Sequence, residues 1–119
     1  MRFLLDTNVV IYLLGGRLQH ALPQGVHGVS IISEIELLSH PALSPNDEQV
    51  VRGFLNEVVR YPLTDEIRDR TVLLRRQLRL KLPDALIAAT ALEAKAILLT
   101  NDQQLHVVPD LNVQAVALI

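Results

Sequence analysis

Five acidic residues stand where their carboxylates could act together. Asp6 ends the apolar run FLLD, and Asp102 closely follows the apolar run ILLT. A carboxylate beside a buried strand is costly unless another group compensates it. Asp84 begins the alanine-rich segment DALIAATALEAK, while Glu34 and Glu36 lie in IISEIELL. The recurrence of carboxylates at such places predicts one shared acidic site.

The chemistry of such a site follows from its donor atoms. Clustered carboxylates repel one another unless some are protonated or a cation lies between them. A site made only of oxygen ligands suits Mg²⁺ or Mn²⁺, which activate water and stabilise negative charge at phosphorus. The chain has no cysteine, and its four histidines show neither HxH nor HExxH spacing. A thiolate site is therefore excluded, and a zinc site is disfavoured.

Each carboxylate also has a structural alternative. Asp6 could cap the helix that begins near Asn8, Asp84 could serve as a helix-start residue, and Asp102 could be a turn residue. Glu34 and Glu36 could both be surface residues. On a helix these two point about 200° apart, so only one of them can face the cluster. Periodicity does not choose between them, because apolar neighbours flank both.

Alternating strands and helices are predicted to position these residues. The segments suited to strands are 2–6, 27–30, 61–64, 96–100 and 113–118. The segments with helical spacing are 7–16, 31–40, 44–60, 65–80 and 84–95. This alternation predicts a three-layer α/β/α sandwich with a mostly parallel central sheet. In such a sheet the carboxyl ends of the strands share an edge, which would bring the carboxylates together.

Local signals support the helix boundaries. Ser44 suits an N-cap with Pro45 at the first helical position, and Thr64 suits the cap of the next helix. The segment from Asp84 is apolar nearly all round, so we expect it to be buried on most sides. NDQQL, residues 101–105, is predicted to be a turn or a short helix. With 119 residues, no repeat and no linker, residues 1–119 are expected to form a single domain.

Composition and charge narrow the function classes. Half of the residues are hydrophobic, a fifth are charged, and only four are aromatic. No signal peptide or membrane span is apparent, so we expect a cytoplasmic protein. The net charge of −2 argues against a general nucleic-acid binder. However, the stretch 68–81 holds six basic residues. It is either a solvated helix face paired with nearby acids or a surface that meets phosphate.

The order of the motifs resembles a known family. FLLDTNVVIYLL, VSIISEIELL and LPDALIAATALEAKAILLTND resemble the successive motifs of the PIN domain, in particular those of VapC-like ribonuclease toxins. The resemblance spans nearly the whole chain. PDALIAATAL followed by LLTND is its most specific part.

The resemblance implies a set of site residues. Asp6, Glu36, Asp84 and Asp102 would form the acidic metal-binding quartet, which favours Glu36 over Glu34. Asn8 and Thr100 match polar positions beside that site. They would hydrogen-bond to the carboxylates or to water bound by the metal.

The resemblance also implies an activity and partners. Proteins of this type are Mg²⁺- or Mn²⁺-dependent endoribonucleases, and many are homodimeric toxins held inactive by a cognate antitoxin. RNA would then be the substrate. Because aromatic residues are few, phosphate contacts should dominate over base stacking. The residues expected to make some of those contacts are Arg75, Arg76, Arg79 and Lys81.

One departure and two alternatives accompany this interpretation. NDQQLHVV lacks the phenylalanine that often follows the last aspartate in the family, so RNA specificity is the property least constrained. One alternative is a catalytically silent PIN-fold module that binds RNA or acts as a scaffold. The other is an aspartate-nucleophile phosphatase, which usually carries a second aspartate where this chain has Asn8.

Overall fold

Five short parallel strands form the central sheet of the computed structural model, which describes residues 1–119. The strands are β1 Arg2–Leu5, β2 Val26–Ser30, β3 Val59–Tyr61, β4 Ile97–Leu99 and β5 Val113–Gln114. Their order across the sheet is β3-β2-β1-β4-β5. The chain thus moves outward from β1 to β3 on one side and then crosses to β4 and β5 on the other. The order reverses between β1 and β4, where open α/β sheets bind ligands at the carboxyl ends of the strands.

Helices cover both faces of the sheet. They are α1 Thr7–Leu14, α2 Ile31–Leu38, α3 Pro45–Glu57, α4 Asp65–Leu78 and α5 Leu82–Ala94, followed by a short 3₁₀ helix at Leu105–Val107. The expected caps are present, since Ser44 Oγ accepts from Asp47 N and Thr64 Oγ1 accepts from Ile67 N, both at 3.1 Å. The three-layer α/β sandwich is therefore confirmed. None of the helices has the length and apolar character that crossing a membrane requires.

Alternate side chains of β1 enter two separate cores. Phe3 and Leu5 pack with α1 and α3 on one face, whereas Leu4 packs with α4 and α5 on the other. All three are buried. Because both faces of the strand are covered, its sequence is apolar throughout rather than alternating.

Helix α5 is buried on most sides, as its composition predicts. Every residue from Ala85 to Ala91 is buried. The small alanine side chains allow the helix to lie close to the sheet and to α4. This packing fixes the first turn of α5, and Asp84 within it, at the carboxyl edge of the sheet.

Several boundaries differ from the sequence-based expectations, most by one or two residues. Helix α3 ends at Glu57 rather than at residue 60, because residues 59 and 60 belong to β3. The third strand is Val59–Tyr61 rather than 61–64, because Pro62 has no N–H with which to continue the ladder. Helix α4 ends at Leu78 rather than near residue 80, since Arg79 adopts a left-handed backbone with φ of 55°. The last strand comprises two residues rather than the segment 113–118.

Candidate active site

Four carboxylates surround the carboxyl ends of β1 and β4. Asp6 directly follows β1, and its backbone N–H donates to Leu99 O in β4 at 3.0 Å. Asp102 lies three residues beyond Leu99, Asp84 lies in the first turn of α5, and Glu36 lies on α2. The structure thus places the four acidic residues implied by the family resemblance at one edge of the sheet.

Asp6 combines the capping role and the cluster role that its sequence context left open. It is the N-cap of α1, and its Oδ1 accepts from Thr7 N at 2.8 Å. Its Oδ2 accepts from Thr100 Oγ1 at 2.6 Å. Burial raises the pKa of Asp6 despite these hydrogen bonds, and the negative charges of Asp102 and Glu36 raise it further.

Asp84 experiences the same electrostatic environment from the α5 side. Burial raises its pKa first, and the charges of Asp102, Asp6 and Glu36 add to that effect. Lys81 is the one cation that opposes these effects, and it does so only in part. The cluster therefore has more negative charge than the protein itself compensates.

A threonine hydroxyl distinguishes Glu36 from Glu34. Thr7 Oγ1 donates to Glu36 Oε1 at 2.7 Å, beside Asp6. Glu34 instead lies 3.5 Å from Arg60 Nη1, in an ion pair on another side of α2. Glu36 is therefore the glutamate directed toward the cluster, a choice that helical periodicity alone did not make.

A chain of hydrogen-bonded hydroxyl groups leads from the protein interior to Glu36. Ser30 Oγ lies 3.4 Å from Ser33 Oγ, and Ser33 Oγ lies 2.9 Å from Thr7 Oγ1. Because Thr7 has one hydroxyl proton and donates it to Glu36, Ser33 must donate to Thr7. The line thus runs from the fully buried Ser30 to the carboxylate of Glu36. Sequence reasoning missed Thr7 and Ser33, because the sequence does not show that their hydroxyl groups lie together.

Thr100 joins the two aspartates that follow β1 and β4. Its hydroxyl donates to Asp6 and accepts from Asp102 N at 3.0 Å, while the residue itself is fully buried. Asn8, the other residue expected to hydrogen-bond at the site, is exposed and forms no hydrogen bond with these carboxylates. Thr100 and Thr7 therefore orient the carboxylates in the structure as it stands.

The basic stretch divides into paired and unpaired residues. Arg68 contacts Asp65 and Asp69, and Arg70 contacts Glu93. The remaining basic residues of the stretch are exposed and form no ion pair: Arg75, Arg76, Arg79 and Lys81. The interpretation as a paired helix face thus holds for Arg68 and Arg70, and a contact with phosphate stays a prediction for the other four.

The donor set fits a hard divalent cation by charge and by chemistry. All four candidate ligands are carboxylates; burial raises the pKa of Asp6 and Asp84, and the repulsion from the neighbouring carboxylates raises it further. As the side chains stand, no three acidic or histidine side chains are positioned to hold an ion jointly. Binding an ion would therefore draw the carboxylates closer together.

Without metal, we expect rising pH to weaken the fold through Asp84. Its pKa in the fold exceeds the ordinary 3.8, so between these two values the folded state binds more protons than the unfolded chain. The free energy of unfolding must then fall as the pH rises through that interval. Thermal melts in EDTA from about pH 4 to pH 8 should show the Asp84→Asn variant gaining stability relative to the wild type. If the wild type instead became more stable relative to the variant as the pH rose, this prediction would be contradicted.

Comparison with known families finds one match along most of the chain. The family model described as PIN domain matches residues 3–111. No curated protein matches the chain significantly.

Comparison with solved structures finds the same fold in complexes of toxins and antitoxins. A toxin–antitoxin complex from Klebsiella pneumoniae has a TM-score of 0.77 and 32% identity, covering 93% of this chain and 94% of that chain. VapBC2 from Rickettsia felis, bound to a DNA fragment from its promoter, has a TM-score of 0.82 and 20% identity, with coverages of 98% and 100%. DNA-bound VapBC from Salmonella typhimurium has a TM-score of 0.82 and 20% identity, with coverages of 97% and 98%. At 20% identity these last two show a shared fold alone.

Proposed function

This chain belongs to the PIN domain family, and from that membership we propose that it is a metal-dependent endoribonuclease. In this proposal residues 1–119 act as a single PIN-like domain that hydrolyses RNA phosphodiester bonds. The observation that carries the proposal is the placement of four carboxylates at one edge of the sheet, where their negative charges raise the pKa of Asp6 and Asp84 beyond the effect of burial and Lys81 opposes this only in part at Asp84. A divalent cation bound among the carboxylates would relieve this repulsion, and the same cation would serve in phosphodiester cleavage.

Asp6, Glu36, Asp84 and Asp102 would hold Mg²⁺ or Mn²⁺ at the carboxyl edge of the sheet. Such an ion supplies activation of water and neutralisation of the charge that develops on the phosphate. The protein contributes the orientation of its ligands. Thr100 donates a hydrogen bond to Asp6, and Thr7 donates one to Glu36, so each carboxylate is oriented before an ion binds. Burial of Asp6 excludes water from one side of the site.

The proposed biological role is that of a toxin in a type II toxin–antitoxin pair. The solved complex from Klebsiella pneumoniae shares 32% of its sequence with this chain over most of both lengths. We therefore include a cognate antitoxin in the proposal, and the family resemblance adds a homodimeric state to it. Light scattering of the purified chain, alone and with the protein encoded beside it, tests both partners.

Comparing two glutamates of one helix tests the proposed activity. We expect purified protein to cleave a mixed RNA pool with Mg²⁺ or Mn²⁺ and to stop in EDTA. Glu36→Gln should lower the cleavage rate roughly a hundredfold, because it removes a candidate ligand. Glu34→Gln makes the same chemical change two residues away, where the side chain pairs with Arg60. It should cleave at nearly the wild-type rate.

Equal losses in the two glutamine variants would contradict the assignment of Glu36. RNA that is bound but intact with every metal would instead favour the catalytically silent module. A phosphate analogue trapped covalently on Asp6 would favour phosphatase chemistry.

A further inference from the structure

A small surface pocket beside the acidic cluster has no role in the site described so far. It encloses about 260 Å³ and is lined by Leu78, Arg79, Leu80, Gln104 and Val107. One wall is the connection between α4 and α5, and the other is the segment that follows β4. We refer to these five residues as the lateral pocket.

The lateral pocket adjoins the carboxylates through both of its walls. Arg70 of α4 forms a 2.6 Å ion pair with Glu93 near the end of α5, so the two helices run antiparallel. The last turn of α4, with Arg79 just beyond it, therefore lies beside the first turn of α5, which carries Asp84. On the other wall, Gln104 N donates to Asp102 Oδ1 at 3.0 Å. The pocket thus lies next to the segments that carry two of the carboxylates, Asp84 and Asp102.

The chemistry of the lining suits one nucleotide. Leu80 is buried and provides an apolar floor, whereas Val107 is 70% exposed at the rim. The side-chain amide of Gln104 forms no hydrogen bond within the protein, so it is free to meet the edge of a base. Arg79 brings an unpaired guanidinium, the group that best matches a phosphate. Base and phosphate thus have separate partners within one pocket.

The charge distribution favours RNA over other occupants of the pocket. Arg75, Arg76 and Lys81 lie near Arg79 along the chain, are exposed and form no ion pairs. The acidic cluster repels phosphate unless cations lie nearby. These cations therefore provide a place where a polyanion can approach the edge of that cluster.

We infer that the lateral pocket binds the nucleotide adjacent to the cleaved phosphodiester, with Arg79 holding its phosphate. This inference rests on the proposed function and specifies how its substrate is held. It distinguishes Arg79 from the other basic residues of the stretch, because only Arg79 lines the pocket.

RNA affinity, rather than cleavage, provides the test. The probe is a fluorescent single-stranded RNA of about eight nucleotides and mixed sequence, in the length range of single-strand sites. It is titrated with protein carrying Asp6→Asn, so that it stays intact. Adding Arg79→Ala should raise Kd about tenfold and reduce the slope of log Kd against log salt by about 0.7, the loss of one phosphate contact.

Lys95 provides the matched control for Arg79. Lys95 follows α5 in the same left-handed conformation, with φ of 54° against 55° for Arg79, and it is also exposed. Lys95→Ala therefore makes the same change of charge and backbone preference, but at the opposite edge of the sheet. Its Kd should stay within about twofold of the parent, since long-range charge effects are screened by salt.

A second pair of variants tests the pocket itself. Val107→Asp places a negative charge at the exposed rim and should weaken RNA binding to a similar degree, whereas Val107→Thr should not. Equal effects of Arg79→Ala and Lys95→Ala, absence of RNA binding by the parent, or unchanged affinity in Val107→Asp would overturn the inference. So would an equal loss of affinity for poly-glutamate, which would assign the surface to an acidic protein segment.

The outcomes separate this inference from the proposed function. Wild-type protein that cleaves RNA, with Arg79→Ala behaving like Lys95→Ala, refutes the pocket and retains the nuclease. Wild-type protein that never cleaves, with the difference between these variants intact, refutes the nuclease and retains the RNA contact.

Discussion

Replacing Asp6 by Asn should strongly reduce RNA cleavage while leaving the fold intact. Asparagine keeps the size of the side chain and an oxygen that can accept from Thr7 N. It removes the charge that a cation would bind, and it replaces the oxygen that accepts from Thr100 by an amide donor. We expect the cleavage rate to fall on the order of 10²–10³-fold, comparable to losing one electrostatic element of an active site.

Asp65→Asn is the matched control for this substitution. Asp65 also stands at the start of a helix, but its side chain is 85% exposed and contacts Arg68 away from the cluster. The Asp65→Asn variant should cleave RNA at the wild-type rate. Circular dichroism of both variants checks that the fold is retained. If the Asp6→Asn variant cleaved RNA at the normal rate, the assignment of Asp6, the most buried of the four carboxylates, to the active site would be refuted.

Millimolar Mn²⁺ should raise the melting temperature of the wild type substantially. Burial and mutual repulsion both disfavour the charged forms of Asp6 and Asp84, and a cation bound between them offsets that cost, so it binds the folded state in preference to the unfolded chain. At a concentration one hundred times Kd the gain is about 2.7 kcal/mol. For a chain of this size that gain corresponds to roughly 10 °C. EDTA should reverse the rise.

The Asp84→Asn variant separates site binding from a general effect of salt. Without metal this variant should melt above the wild type near neutral pH, because one repelling charge is gone. With Mn²⁺ it should gain far less, since one candidate ligand is gone as well. Equal gains in the two proteins, or no gain in the wild type, would argue against a metal site formed by these residues.

Much of the fold was predictable because local signals and global pattern agree. Ser44 and Pro45 define a helix start without tertiary information, and the apolar runs before Asp6 and Thr100 correspond to buried parallel strands. The misplaced third strand shows the limit of this approach. A residue such as Val59 suits either the end of a helix or a strand, and its pairing with Gly28 depends on a neighbour distant in sequence.

The sequence allowed the charged residues of the candidate site to be predicted, but not the residues that hydrogen-bond to them. Carboxylates at strand ends are conspicuous because they break apolar runs. The choice between Glu34 and Glu36 depends on two long-range contacts, one with Thr7 and one with Arg60, which no periodicity encodes. Hydroxyl residues are common everywhere in proteins. Thr7 and Ser33 therefore gain meaning only once α1 and α2 are known to pack together.

The reversal of strand order between β1 and β4 also governs when the site can exist during synthesis. Asp6 is synthesised 91 residues before the first residue of its partner strand β4 and 96 residues before Asp102. At roughly 5–20 residues per second this interval lasts about 5–20 s. Throughout it, Asp6 lacks both Leu99 and Thr100, which position it in the finished protein. The proposed site therefore cannot form until the segment from β4 to Asp102 has been synthesised.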